Sequence, residues 1–362
     1  MSRKATIALV TMCKNEEDNI ERCIKSARDA GITVATILDT GSTDGTIERI
    51  HKACEGMDLR LHQSGFVDFG TARSELLSYA IGSGDLLLLL DADMTVEIDE
   101  DFDPDMSTAP DAYDLEIGSD TGQGALPSQR FSYQLPLLVR GDRPWISVGA
   151  VHEAIRRSDA NYTREPNTKV HIKMSSIHRA SMEKNQWHAK LLRQSLNRNP
   201  DDSRAVFYLA QTLRLMGQNK KSRDLYIKRT KMGGWDEEIY YASFSAAAQA
   251  EDWLIQMKEY MSTWELRPFR LEALHSLVRL LNQQGLHHAA YALSNVPLIP
   301  PPPTELLFVH LDVWDWGMTF ERSIAAWWVG NKDECKTLCD ELLTKQLPEN
   351  VREAVEKNRS FC

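Results

Sequence analysis

Asp91 and Asp93 stand one residue apart, directly after five consecutive leucines, Leu86 to Leu90. Two carboxylates at that spacing offer hard oxygen donors to Mg²⁺ or Mn²⁺, and such an ion in turn carries a substrate diphosphate. Acidic turns are common, so an Asp-x-Asp alone says little, and its position is what gives it weight. The leucine run is far short of the roughly 20 apolar residues that a membrane span takes. Bounded by Gly84 before and carboxylates after, it reads as a strand buried on both faces of a sheet. The ends of such strands are where α/β sheets place ligands.

The elements around that strand bring further chemistry to the same edge. Ala5–Val10 has the composition of a second buried strand, followed by Ile20, Cys23, Ile24 and Ala27 at helical spacing and by Gly31 as a stop. Glu16 and Glu17 suit the positive end of that helix. Val34–Leu38, the turn Asp39–Gly45 and a helix from Thr46 repeat the βα unit, a third strand falls near Leu59–His62, and Phe69–Arg73 opens the next helix. Two βα units in succession predict a doubly wound parallel sheet. Its strand ends carry Thr11, Asp39, Arg73, Asp91 and Asp93 toward one cleft. A carboxylate there takes base N–H or ribose hydroxyls, a guanidinium holds phosphate oxygens, and the Asp-x-Asp holds the metal. No Gly-x-Gly-x-x-Gly and no Gly-Lys-Ser/Thr loop is present, which counts against dinucleotide and P-loop folds.

Lys14-Asn15-Glu16-Glu17, Asp39-Thr40-Gly41-Ser42-Thr43-Asp44-Gly45-Thr46, Thr71-Ala72-Arg73 and Asp91-Ala92-Asp93 resemble, in order, the motifs of family 2 glycosyltransferases. Val151-His152-Glu153 resembles a further motif of that family's bacterial and phage branch. The resemblance implies the A-type fold of nucleotide-diphospho-sugar transferases, a doubly wound mixed sheet, and inverting transfer from a UDP-type sugar nucleotide with Mn²⁺ or Mg²⁺ as cofactor. By match to the motifs, Asp39 binds the nucleobase, Arg73 and Asp91 lie by ribose and diphosphate, and Asp93 ligates the metal. Many members have a second Asp where this chain has Thr40, so the base contact rests on Asp39 alone. Related transferases complete the metal shell with a late histidine, and His178 stands in that place.

Direct displacement at an anomeric carbon needs a base for the acceptor's proton. Glu153 fills that role by its match to the motif, against a competing ion pair with Arg156 or Arg157. His152 orients the acceptor or is structural. Trp145 is an acceptor platform or a core residue. Ser119–Gln129, rich in Gly, Ser and Gln, is a lid over the donor or a plain connector.

From about Asn185 the pattern changes to the 3.6-residue period, which divides the chain into a catalytic domain, 1–184, and an all-α domain, 185–362. Pro200 to Pro268 and Gly217 to Gly285 are both 68 residues, twice the 34-residue period of the tetratricopeptide repeats that this region resembles. The unit around Glu238–Trp253 is degenerate, and Pro300–Pro303 interrupts the pattern before helix resumes across Leu306–Cys339. Such repeats bind a partner, brace the catalytic domain or make a homo-oligomer contact.

The 362 residues are 42% hydrophobic and 26% charged, an ordinary globular composition. No signal-peptide stretch or membrane span is visible, and six scattered cysteines form no disulfide framework, so a cytoplasmic location is expected. Cys335 and Cys339 read as apolar fillers. Residues 1–155 carry net charge −14, residues 156–231 +12 and residues 232–362 −8. The basic block, with Arg156, Arg157, Arg164, Lys169, Lys173, Arg179, Lys220 and Lys221, either faces an anionic acceptor or neutralises the acidic first domain. An anionic acceptor would be a nucleic acid with a hydroxylated base or a surface glycan. A peptide or protein held by the repeats is the alternative. Two other functions remain open: a non-catalytic repeat scaffold with a relic nucleotide-binding domain, and a nucleotidyltransferase on the same fold.

Overall fold

The computed structural model of the chain describes residues 4–119, 134–159, 161–174, 182–302 and 304–362. The chain divides into two compact units, the first reaching residue 181 and including 190–195, the second taking in 182–189 and 196–362. The expected boundary at 184/185 falls inside one continuous helix, Met182–Arg198, whose period starts before the change in composition is visible.

The first unit runs β1 (Ile7–Cys13), α1 (Ile20–Asp29), β2 (Val34–Asp39), α2 (Thr46–Ala53), β3 (Asp58–Gln63), α3 (Phe69–Ala80), β4 (Leu86–Asp91), β5 (Met94–Ile98), β6 (Ala112–Ser119), β7 (Gln134–Arg140), β8 (Trp145–Val148), β9 (Ala154–Arg157) and β10 (Arg164–Met174). Among the described residues, eight strands form one sheet in the order β3-β2-β1-β4-β7-β6-β10-β5, and β8 and β9 form a separate hairpin. β1 to β4 are mutually parallel, as two βα units in succession dictate. β7 enters antiparallel to β4, and β5 antiparallel to β10. The sheet is therefore mixed rather than parallel throughout.

The leucine strand lies at the centre. Leu86, Leu88 and Leu90 pack with Ile20, Cys23 and Ile24 of α1 on one face, while Leu87 and Leu89 pack with Ala72, Leu76 and Leu77 of α3 on the other. All five are at most 2% exposed. Burying a leucine fully is worth about 1.5–3 kcal/mol, which explains why alternation is absent here: both faces need an apolar side chain.

The second unit is helical: α4 (Met182–Arg198), α5 (Ser203–Leu215), α6 (Asn219–Thr230), α7 (Asp236–Ala248), α8 (Trp253–Leu266), α9 (Glu272–Gln283), α10 (His287–Leu293), then α11 (Met318–Trp328), α12 (Lys332–Leu343) and α13 (Glu349–Ser360). The 68-residue period has a structural counterpart at the turns. Gly217 after α5 and Gly285 after α9 have φ of +72° and +73°. In both turns the glycine N–H bonds three residues back and the next N–H bonds five back, to Leu213 and Leu281. The unit that reads as degenerate is a regular pair, α7 and α8, and Glu238 of α7 forms a buried ion pair with Arg229 of α6, Nε to Oε2 2.8 Å. Cys335 and Cys339 are buried among Ala326, Leu342 and Val355. No described helix is long and apolar enough to cross a membrane.

At the start of β4 the backbone of Gly84 and that of Gly141 meet so closely that a Cβ on Gly141 would lie 2.0 Å from the Gly84 carbonyl oxygen. Gly141→Ala is expected to lower the chemical denaturation midpoint by the equivalent of about 1–3 kcal/mol, the usual cost of overpacking. Gly65→Ala, where a Cβ meets nothing within 4 Å, should leave the midpoint in place.

Candidate active site

Parallel pairing lines up the strand ends. Cys13 stands opposite Asp39, Asp39 opposite Gln63, and Met12 opposite Asp91. Asp39 and Asp91 flank β1, so they share one edge about 9–10 Å apart, two strand spacings.

A third carboxylate is brought to that edge from outside the sheet. Asp68 caps α3 by accepting from Thr71 N–H at 2.8 Å, which fixes where the helix starts. One residue into α3, Gly70 lets the hairpin approach: a Cβ there would sit 2.5 Å from the Gly149 carbonyl oxygen. Phe69 N–H donates to Ala150, and the Ser74 hydroxyl both donates to the Ser147 carbonyl and accepts from Ser147 N–H. The far end of the hairpin is held by Asp111, which accepts from Arg143, Arg157 and Thr163. Between these anchors the turn from β8 to β9 uses left-handed backbone at Gly149 (φ +116°) and His152 (φ +53°) and delivers Glu153 to Arg73.

Arg73 then bridges two carboxylates. Its Nη2 donates to Asp91 Oδ1 at 2.6 Å and its Nε to Glu153 Oε1 at 2.7 Å. The Arg73 side chain is 10% exposed and that of Glu153 13%, while that of Asp91 is 49% exposed. Burial works to lower the guanidinium's pKa, and the charges of Asp91 and Glu153 outweigh it, so Arg73 is held above its ordinary value. Arg73 is thus a fixed cation, held between a covered carboxylate and a half-exposed one.

The remaining polar motif residues lock two loops together. Asn15 (φ +54°) donates its N–H to the Ser42 hydroxyl and accepts from Thr43 N–H, both at 2.8 Å. Glu16 N–H donates to the Thr46 hydroxyl, and Glu17 accepts from Gly45 N–H at 2.9 Å. Glu17 therefore sits on the positive end of α2, not of its own helix α1 as its sequence position suggests. A Cβ on Gly45 would lie 2.8 Å from that carboxylate.

The structure places the other expected site residues as follows. Thr11 is fully buried on the face of β1 that carries Leu9 and Cys13 against α1, away from the strand-end opening. Asp39 does stand at the strand end but is 0% exposed, its carboxylate accepting from the N–H groups of Gly41 and Ser42 at 3.2 Å, so it organises the turn. Trp145 is a core residue, 3% exposed, donating to the Arg140 carbonyl at 2.7 Å and packed edge-on against Tyr162. Arg157 is committed to Asp159 and Asp111, whereas Arg156 and His152 are exposed. Glu153 pairs with Arg73 rather than with Arg156 or Arg157. Asp93 lies partly exposed on the turn after β4, and His178 and most of the 119–129 segment lie outside the described residues. Within the basic block, Arg164, Lys169 and Lys173 pair with Asp114, Asp101 and Glu97, which favours neutralisation of acidic strands over an anion-binding face. Asp111 was missed by sequence reasoning, and Gly70, Ser42 and Thr43 were read within motifs without the contacts they make. Asp111 stands in no motif and carried no local signal.

An arginine thus bridges a carboxylate at the end of a central strand and one carried by the hairpin, at the edge of a mixed sheet. Residues 8–103, within the first unit, match the family described as Glycosyl transferase family 2. No curated protein matches the chain. Among solved structures, it is similar to S. aureus TarS 1–349 in complex with UDP-GlcNAc, at 13% identity over 72% of this chain and 90% of that one, TM-score 0.40. It is also similar to YrrB, a TPR protein with an unusual peptide-binding site, at 13% identity over 48% and 84%, TM-score 0.36. MamA is similar at 13% identity over 45% and 82%, TM-score 0.36. Likenesses at TM-scores this low carry no argument of their own.

If Gly70 is what lets the hairpin reach Arg73, Gly70→Ala and Glu153→Gln are coupled. A double-mutant cycle followed by thermal unfolding should give an interaction energy of about 0.5–3 kcal/mol, because the second change costs less once the hairpin has moved. Simple additivity would show that the hairpin docks independently of Gly70.

Proposed function

We propose that the first unit transfers a glycosyl group from a nucleotide-diphosphate sugar, of the UDP type, to an acceptor hydroxyl by a single inverting displacement. The observation that carries this proposal is the Arg73 bridge between Asp91 and Glu153 at the strand edge. A substrate diphosphate competes with these carboxylates for the guanidinium, and a freed Glu153 takes the acceptor's proton. The acceptor oxygen then bonds to the anomeric carbon as the bond to the nucleoside diphosphate breaks, and that group leaves with the electron pair.

The residues present fit a divalent cation of the kind that binds through one or two carboxylates plus substrate phosphates. Asp91 and Asp93 would hold it. Among the described residues no group of three or more ligating side chains completes a shell, which suits an ion bound together with its diphosphate. When bound, such an ion neutralises charge on the departing diphosphate. Arg73 supplies a second, fixed positive charge, and Asp39 with Asn15 and Ser42 holds the loops that border the edge.

Two variants test the roles separately. Glu153→Gln should keep nucleotide binding and lose roughly 10²–10⁴-fold in turnover, the usual contribution of a general base. Loss of donor affinity with unchanged chemistry would move the base elsewhere.

UDP with Mn²⁺ should raise the melting temperature of the wild-type chain, and Asp93→Asn should remove the metal-dependent part of that rise together with transfer. An Asp93→Asn chain that responds and turns over like wild type would take Asp93 out of the metal site. Absence of stabilisation by any nucleoside diphosphate with metal would favour the scaffold function instead, and release of pyrophosphate rather than a nucleoside diphosphate would mark a nucleotidyltransferase.

A further inference from the structure

Between α10 and a π-helical turn at Val313–Gly317 that leads into α11, the chain crosses the helical unit without regular structure, and its main chain is gripped by buried charged side chains. Glu237 at the start of α7 accepts from the N–H groups of Leu306 and Leu307, both at 2.7 Å. Glu272 at the start of α9 accepts from His310 N–H at 3.2 Å. Arg270 Nη2 donates to the carbonyls of Leu307 and Phe308 at 3.3 and 3.4 Å. Arg270 is 0% exposed, Glu272 2% and Glu237 5%. Arg270 is itself fixed by Glu272 and Glu305 and lies over the Tyr240 ring.

One side chain is also received. The Phe308 ring stacks 6.5 Å from Phe207 of α5 and lies 4.8 Å from Tyr241 of α7. His310 follows against Tyr241 and Phe244. α5, α7 and α9 are the first helices of the three successive pairs, so the segment is seated on the face that these first helices present in common. Phe308 holds a left-handed backbone, φ +47°, which a residue of its size adopts only when its surroundings over-determine it.

We infer that residues 305–310 act as an intramolecular ligand, a strap seated in a groove built for an extended segment with one aromatic anchor, and that the strap can leave while the helices stay folded. Two features distinguish it from a permanent connector. Leu307 and Val309 pack as in an ordinary connector and Glu305 pairs with Arg267 and Arg270, but here the polar groups of the strap's main chain also bond to charged side chains, a mode that reads backbone and not sequence. Buried charges also recover their hydration when an occupant departs, so opening at Glu237, Arg270 and Glu272 is offset in a way that opening an apolar core is not. Pro300, Pro301 and Pro302, just before the strap, keep the approach extended.

Hydrogen exchange on the full-length wild-type chain tests this first. The amides of Leu306, Leu307 and His310 should exchange at least tenfold faster than the core amides of α7 and α9, through an opening that leaves those helices protected. Exchange of the strap only in step with α7 and α9 would make it part of the core and overturn the inference. In Phe308→Ala the strap amides should gain a further tenfold while helix protection is unchanged. A synthetic peptide spanning Thr304–Asp312 should then bind the Phe308→Ala chain and not wild type, and adding Glu237→Gln should abolish that binding. A folded Phe308→Ala chain that ignores the peptide would mean that the groove has no ligand-binding capacity.

Discussion

The first unit depends on one buried guanidinium. Arg73 lies at the junction of helix α3, strand β4 and the β8–β9 hairpin, and its ion pairs with Glu153 and Asp91 tie the hairpin to the sheet edge. Removing a charge from water is costly, and a buried arginine is tolerated because two carboxylates surround it. The same arrangement sets the positions of those carboxylates. The two carboxylates, half-exposed Asp91 and mostly covered Glu153, differ in exposure, 49% against 13%, although one guanidinium holds both.

Everything else in the first unit serves that junction. The leucine strand anchors Asp91 from below by burying both faces. Asp68 and Gly70 set the start of α3 and the approach of the hairpin, and Asp111 holds the hairpin's other end through Arg143 and Arg157. The two loops that carry Asn15 and Ser42 hold each other, so that Asp39 can be wholly internal and still shape the strand edge. Motif residues that look like ligands in the sequence are here largely each other's partners.

The helical unit uses buried charge in another way. Arg229 with Glu238, and Arg270 with Glu272, Glu237 and Glu305, tie irregular segments to helix ends where backbone groups lack regular partners. Charged side chains supply those bonds at positions where an apolar residue would leave N–H and carbonyl groups unsatisfied.

The sequence by itself determined the elements and their order. Helical and strand periods are local properties, so β1 to β4, α1 to α3 and the repeat helices are legible from apolar spacing, Gly31, Gly217 and Gly285. Motif order was enough to put Asp91 and Asp93 at a strand end. What only tertiary structure decided was which side chains meet. Trp145 looks like a platform until Arg140 and Tyr162 are seen around it, and Thr11 looks cleft-facing until β1's faces are assigned. Glu153 has two arginines within four residues and bonds to neither, choosing one 80 residues away. Pairing of that kind depends on how close a glycine lets two backbones come, and at Gly70 that distance is fixed by contacts with Gly149 that no local pattern records.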